Sequence, residues 1–245
     1  MAGSTSGGMV TKMASEALPR TGAPVSRRAA SRALQPADRT VSLRERGKSE
    51  RQRRIKEAAK AVFSEVGYDA ATTREIARRA HVSIGTIFVY ARDKRDLLFL
   101  MLNDELDPVA EAAWRDLPDG KPVLDRLCAL ARPWYVYFAG NLTLGRYAFR
   151  EMTFYEPESE DFGEQCTRYR ARMHRIESWH GEIIAQGRDR GELKFKGSAA
   201  VAGNLIYKIY LAEIRTWIHG TKPDVGQGIK SLRTKFSLVL DGLRG

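Results

Sequence analysis

The stretch TTREIARRAHVSIGTIFVYA, Thr72 to Ala91, decides how the chain is read. Thr72 and Glu75 stand at the spacing at which a cap hydroxyl and a returning carboxylate satisfy each other's orphan backbone N–H groups, which fixes a helix start. Ile76, Ala77 and Ala80 then fall on one face, with Val82 as an apolar plug just beyond. Ser83 is placed to cap a second short helix. In that helix Ile87 and Ala91 point inward, while Ile84, Gly85, Thr86, Phe88, Val89 and Tyr90 spread over the entry end and outer face. A helix this short needs a scaffold. Presented outward on one, it has the geometry that enters a DNA major groove, about 12 Å wide.

Upstream, Ile55, Ala58, Ala59, Val62, Phe63 and Val66 give a helix from about Lys48 with one buried face. Gly67 ends it and Tyr68 folds back onto the apolar side. Arg51, Arg53, Arg54 and Lys56 load its first turns with charge of the wrong sign for the helix dipole. A DNA phosphate would compensate them; a solvated basic face is the plain alternative. Downstream, Asp93 caps a fourth helix carrying Leu97, Leu98, Met101 and Leu102, which is expected to stop before Pro108.

The run RRIKEAAKAVFSEVGYDAATTREIARRAHVSIGTIFVYARDKRDLL closely resembles the N-terminal domain of the tetracycline-repressor (TetR) family of bacterial regulators. The joint occurrence of F-x-x-x-G-Y, T-T-R-E-I-A, V-S-x-G-T and D-K-x-x-L-L carries the resemblance, over about 55 residues. It implies an all-α homodimer that binds a double-stranded DNA operator. It also implies a larger C-terminal domain that binds a small effector and controls DNA release. Position by position, Thr73 and Arg74 match residues at the start of the second helix that meet DNA. Ser83, Ile84, Gly85, Thr86, Phe88, Val89 and Tyr90 match the recognition turn and helix, and Lys94 matches a phosphate-contacting lysine. His81 departs from the family's usual glycine in the turn, where positive φ is uncommon for other residues though histidine tolerates it better than most. Ala91 replaces a usual aromatic. Ile84 and Val89 cannot hydrogen-bond to base edges, so discrimination would lean on Thr86, thymine methyls and DNA shape.

The division expected is an N-terminal arm over 1–48, a DNA-binding domain over 49–108 with its helix-turn-helix at 72–91, and an effector-binding and dimerisation domain over 109–245. The excess behind the formal charge of +11 is mainly N-terminal: residues 1–48 carry nine Lys/Arg against three Asp/Glu, a net of +6. Rich in Gly, Ser, Ala, Pro and Arg, that segment reads as a disordered arm, following phosphates non-specifically or serving as a plain extension. Its composition also resembles an organelle transit peptide, and Met9 and Met13 are alternative starts.

Beyond Pro122 the pattern is helical throughout. Val123, Leu124, Leu127, Cys128, Ala131, Tyr135 and Phe138 share a face interrupted by Pro133. LTLGRYAFREMTFYE gives a further helix, and a long one begins near Ser159, with Phe162, Tyr169, Ile176 and Ile183 repeating every seven residues. Residues 198–219 and 228–243 give the last two, the expected dimer helices. Trp134, Tyr135, Phe138, Tyr147, Tyr155, Trp179 and Tyr207 are candidate lining for an effector pocket suited to a flat or greasy molecule. Arg146, Arg150 or Glu151 would orient it; ordinary core is the alternative for each aromatic. The acids from Glu156 to Glu164 fit a helix N-terminus or a cation site.

The 43% hydrophobic content suits a globular chain. No apolar run reaches the roughly 18 residues of a membrane span, so a cytoplasmic, nucleoid-associated protein without membrane contact is expected. Cys128 and Cys166 lack a second ligand at metal spacing, and His174 and His180 stand six apart, off a common face. No cofactor or metal is implied. With no nucleophile–base pair or phosphate-cradling glycine loop, an enzyme is not expected. The function expected is a ligand-released repressor. A DNA-binding architectural or division-associated protein without an effector is the alternative.

Overall fold

The computed structural model describes residues 43–153 and 163–244, so Tyr155, Phe162 and most of the acid cluster lie outside the described residues. All regular structure among them is helical, as the TetR resemblance implies. The elements are α1 (Leu43–Ala70), α2 (Thr73–Arg79), α3 (Ile84–Tyr90), α4 (Lys94–Arg115), α5 (Val123–Ala139), α6 (Leu142–Thr153), α7 (Glu164–Asp189), α8 (Ala199–Ile218) and α9 (Val225–Gly242). No described helix is long and apolar enough to cross a membrane.

Helix α1 begins at Leu43, ahead of the expected start, so part of the expected arm is helical. Arg51 to Lys56 therefore lie in mid-helix, where the dipole argument no longer applies. Two of them pair within the molecule: Arg53 bonds Glu50 at 2.5 Å and Glu57 at 2.7 Å, and Lys56 pairs with Asp104 of α4. At Gly67 the chain takes φ 79° and ψ 163°, a conformation that glycine adopts at little steric cost. That break swings Tyr68 inward to lie 5.4 Å from Phe63. Val66, expected inside, is left 51% exposed.

Helix α4 runs through Pro108 to Arg115, contrary to the expected stop, and crosses the expected domain boundary at residue 108. Proline costs a helix interior about 3 kcal/mol. Here the buried face continues past it, through Leu106, Ala110 and Ala113, and packing outweighs the lost bond. The apolar cluster is continuous from Ile55 in α1 to Leu240 in α9, and α4 contributes to it from Leu97 to Ala113.

α7 and α8 approach closely because both are glycine at the contact. A Cβ on Gly203 would collide with the backbone of Gly181. Beside this crossing His180 is buried, its Nδ1 donating to the Ile176 carbonyl at 2.8 Å. Burial pulls its pKa down to about 4. An unfolded histidine titrates near 6.5, so between about pH 6.5 and 4 the unfolded chain binds a proton that the folded one refuses. Stability is complete above that window and falls as pH drops through it, by roughly 3 kcal/mol for this group. Chemical denaturation at pH 7.0 and 4.5 checks this: His180→Gln should lose less stability on acidification than the parent. Equal losses would remove His180 as the cause.

Candidate nucleic-acid interface

Three side-chain caps build the outward helix pair. Thr72 Oγ1 accepts the Glu75 N–H at 3.2 Å, Ser83 Oγ accepts the Thr86 N–H at 3.1 Å, and Asp93 accepts the Asp96 N–H at 2.7 Å. The expected return bond from Glu75 is replaced by another contact. Its carboxylate accepts from Arg78 at 2.6 Å and from Arg79 at 2.8 Å, which holds it at a pKa of about 2. The turn between the helices bends at His81, whose φ is 52°, and the Val82 N–H returns to the Ala77 carbonyl at 3.0 Å. Histidine therefore occupies the left-handed conformation that the sequence required of it.

On α3 only Ile87 is buried, and Ala91 follows it inward. Ile84, Phe88 and Val89 are 42%, 52% and 73% exposed, an apolar outer face that no described element covers. Phe88 is thus outside the core. Ser83, Gly85 and Arg74 are exposed beside them, and Thr73 and Thr86 half-buried. The Thr86 hydroxyl shares a bond with Ser83 Oγ at 2.9 Å, so it is held rather than free to turn. Tyr90 donates to the Lys48 carbonyl at 3.1 Å and fastens the early turns of α1, with exposed Arg46, Lys48 and Arg51, beside α3.

Lys94, matched by position to a phosphate-contacting lysine, bonds backbone carbonyls in the free molecule. Its ammonium donates to the Tyr68 and Asp69 carbonyls at 2.9 and 3.0 Å and lies 4.6 Å from the Tyr68 ring centroid. Those carbonyls lie in the last turn of α1, which ends at Ala70 and leaves them without helical partners, and the Lys94 ammonium supplies donors. Arg78 and Arg79 are likewise committed to Glu75, and Arg79 also to Glu65.

The helix pair is tied to the rest of the molecule by Asp96, which is 2% exposed. Its carboxylate accepts the Arg92 N–H, behind α3, at 3.0 Å and the Cys166 N–H, in the first turn of α7, at 2.9 Å. A second tie runs through α6, where Arg150 forks onto Asp69 at 2.6 and 2.9 Å and Glu151 accepts from Arg95 at 3.2 Å.

The expected pocket residues do not form one group. Tyr147 packs on Tyr68 and Glu151 joins the tie to Arg95, so both serve the junction with α1 and α4. Trp179 stacks on Trp114 at 5.1 Å, and Phe138 meets Phe149. Trp134 and Tyr135 are buried, with the indole N–H and phenol oxygen lacking hydrogen-bond partners among the described residues. Tyr207 sits with His180 and Tyr210. Burial, with Tyr135 and Tyr207 nearby, raises the Tyr210 pKa well above its ordinary value. Sequence reading missed Arg172 and Asn103, which are fully buried between α4 and α7. Arg172 stands one turn from Tyr169 and Ile176 on the apolar face of α7, a position where arginine was a signal.

The family model described as bacterial regulatory proteins, tetR family, matches residues 55–101, covering the end of α1 through the start of α4. Residues 55–101 thus match the tetR family of bacterial regulatory proteins over the N-terminal helix-turn-helix region. The HTH-type transcriptional regulator HbdR of Aromatoleum sp. (strain CIB) is 42% identical over 79 residues, 32% of this chain and 34% of that one. The chain thus spans about a third of that relative's length. The fatty acid metabolism regulator protein of Bacillus subtilis is 21% identical over 168 residues, 67% of this chain and 81% of it. Among solved structures, Thermus thermophilus FadR, a TetR-family transcriptional repressor in complex with lauroyl-CoA, is 26% identical with a TM-score of 0.59. That match covers 78% of this chain and 94% of that one.

The Asp96 bridge joins charge to one buried and one part-buried N–H group, and such bonds contribute about 1.5–3 kcal/mol each. Asp96→Ala should therefore lower the unfolding free energy by about 3 kcal/mol or more in urea titration. Asp96→Asn, which keeps one acceptor oxygen, should fall between. Parental stability in Asp96→Ala would show that the bridge carries nothing.

Proposed function

We propose that this chain is a DNA-binding transcriptional regulator whose α3 enters the major groove of an operator, and that it acts as a homodimer released by a small, largely apolar effector. The observation that carries the reading is the outer face of α3. Ile84, Phe88 and Val89 point away from the core on a helix fixed by Ser83 at its start and Tyr90 at its end. Solvent-exposed apolar side chains of this size need a partner surface. Thymine methyls on the groove floor supply one, while Thr73, Ser83, Arg74 and the Gly85 backbone reach phosphates along the walls.

Pairing is supported by Val201 and Leu205 on α8 and Leu238 on α9, apolar residues turned to solvent on the two C-terminal helices. A two-fold dimer would place its recognition helices about 34 Å apart, one turn of duplex, and so read a palindrome. The apolar effector is supported by the buried aromatic interior of α5, α7 and α8 and by the likeness to a FadR that holds lauroyl-CoA. The assignment to regulation rather than catalysis is supported by the transcriptional regulators among the relatives.

Selection from a pool of random duplexes tests the reading, with enrichment of a palindromic site as the expected result. A pool without sequence preference would overturn it. On the selected site, Arg74→Ala should weaken binding about equally for cognate and unrelated DNA and reduce the salt slope by about one. Ile84→Ala should instead narrow the gap between them, which competition binding at two salt concentrations measures.

A further inference from the structure

We propose that the guanidinium of Arg172 is the receiving group for a carboxylate carried by the effector, at the buried end of its site between α4, α7 and α8. The proposal rests on the effector-binding reading above and specifies the chemistry of that site. Arg172 is 1% exposed. Nη1 is fixed by Asn103 Oδ1 at 2.9 Å and Asp107 Oδ1 at 2.5 Å. Nε and Nη2 have no hydrogen-bond partner among the described residues. These two nitrogens form the lateral edge of the guanidinium. Their parallel N–H bonds match the two oxygens of one carboxylate.

A buried arginine that holds an aspartate with one nitrogen and leaves its bidentate edge unused is not optimised as a strut. A strut would place a carboxylate or carbonyl there, because unmet buried donors leave their desolvation cost unrecovered. Local charge points the same way. Arg172 and Arg168 share Asp107, and Arg168 and Lys56 share Asp104. Among the described residues that pair in this cluster, three cations thus face two carboxylates, an excess that one anion would neutralise. The guanidinium stands 5.5 Å from the Tyr169 ring centroid, and Tyr207 of α8 lies within reach of its charge. An apolar body attached to the carboxylate would meet these rings. Neither free nitrogen touches solvent, so a ligand reaches them as the helices around Arg172 part.

This chemistry differs from that of an acyl chain, whose buried end is a methyl group. Benzoate with benzamide, and octanoate with octanamide, separate the cases, since each pair shares its body and differs in the anion. Binding to the full chain is read by calorimetry and thermal shift without DNA, so the outcome is independent of operator recognition. At least one carboxylate is expected to bind ten-fold or more tightly than its amide. Arg172→Lys, which keeps the charge but not the fork, should lose most of that margin, and Arg172→Met all of it. Should Arg172→Met fail to fold, the wild-type pairs and Arg172→Lys decide. Equal response to acid and amide, no response to either acid, an unchanged margin in Arg172→Lys, or stabilisation by lauroyl-CoA alone would each overturn the proposal. Operator selection failing while the carboxylate margin holds would instead refute DNA regulation and leave the site intact.

Discussion

One buried carboxylate, Asp96, ties the turn behind α3 to the first turn of α7. Asp96 sits on the first turn of α4, is itself capped by Asp93, and accepts one N–H from the turn behind α3 and another from the first turn of α7. The helix pair beneath it has too little apolar surface to fold unaided. Its orientation follows from what α4 and α7 do. The Arg150–Asp69 and Arg95–Glu151 pairs repeat the connection from α6. A change in the packing of α7 thus has a short covalent and hydrogen-bonded route to α3, and the polar cluster of Arg172, Asn103 and Asp107 lies further along the same two helices.

The outward helix combines firm placement with a chemically sparse surface. Its caps and the Tyr90–Lys48 bond fix the backbone, yet the face it shows is mainly hydrocarbon. Much of the positive charge around it is already spent on internal carboxylates: Arg53 on Glu50 and Glu57, Arg78 and Arg79 on Glu75, Lys56 on Asp104. On the proposed reading of α3, selectivity would come from shape and methyl contact rather than from a dense hydrogen-bond pattern.

What could be read from the sequence was local. The caps at Thr72, Ser83 and Asp93, the break at Gly67 and the left-handed His81 depend on a few adjacent residues, and each stands where residue chemistry put it. The family match rests on the same short region. What escaped reading was long-range. The early start of α1 carries no apolar period, and the passage of α4 through Pro108 depends on neighbours distant in sequence. Lys94 matched a phosphate partner by position, but the carbonyls exposed at Tyr68 and Asp69 lie some 25 residues away and could not be seen. The aromatic residues of the C-terminal half offer candidate lining for an effector by composition alone. Composition gives no directions, however, so Tyr147 and Glu151 were grouped with Tyr207 although they face the junction with α1 and α4.

The central claim is that the hydrocarbon face of α3 reads DNA from within the major groove. It is tested most directly by replacing thymine with deoxyuridine, one position at a time, across a selected binding site, which removes the C5 methyl and leaves base pairing unchanged. The account predicts that affinity falls several-fold at one or two thymines in each half-site, and that Val89→Ala or Ile84→Ala abolishes the sensitivity at those positions. Uniform affinity across every substituted site would contradict it.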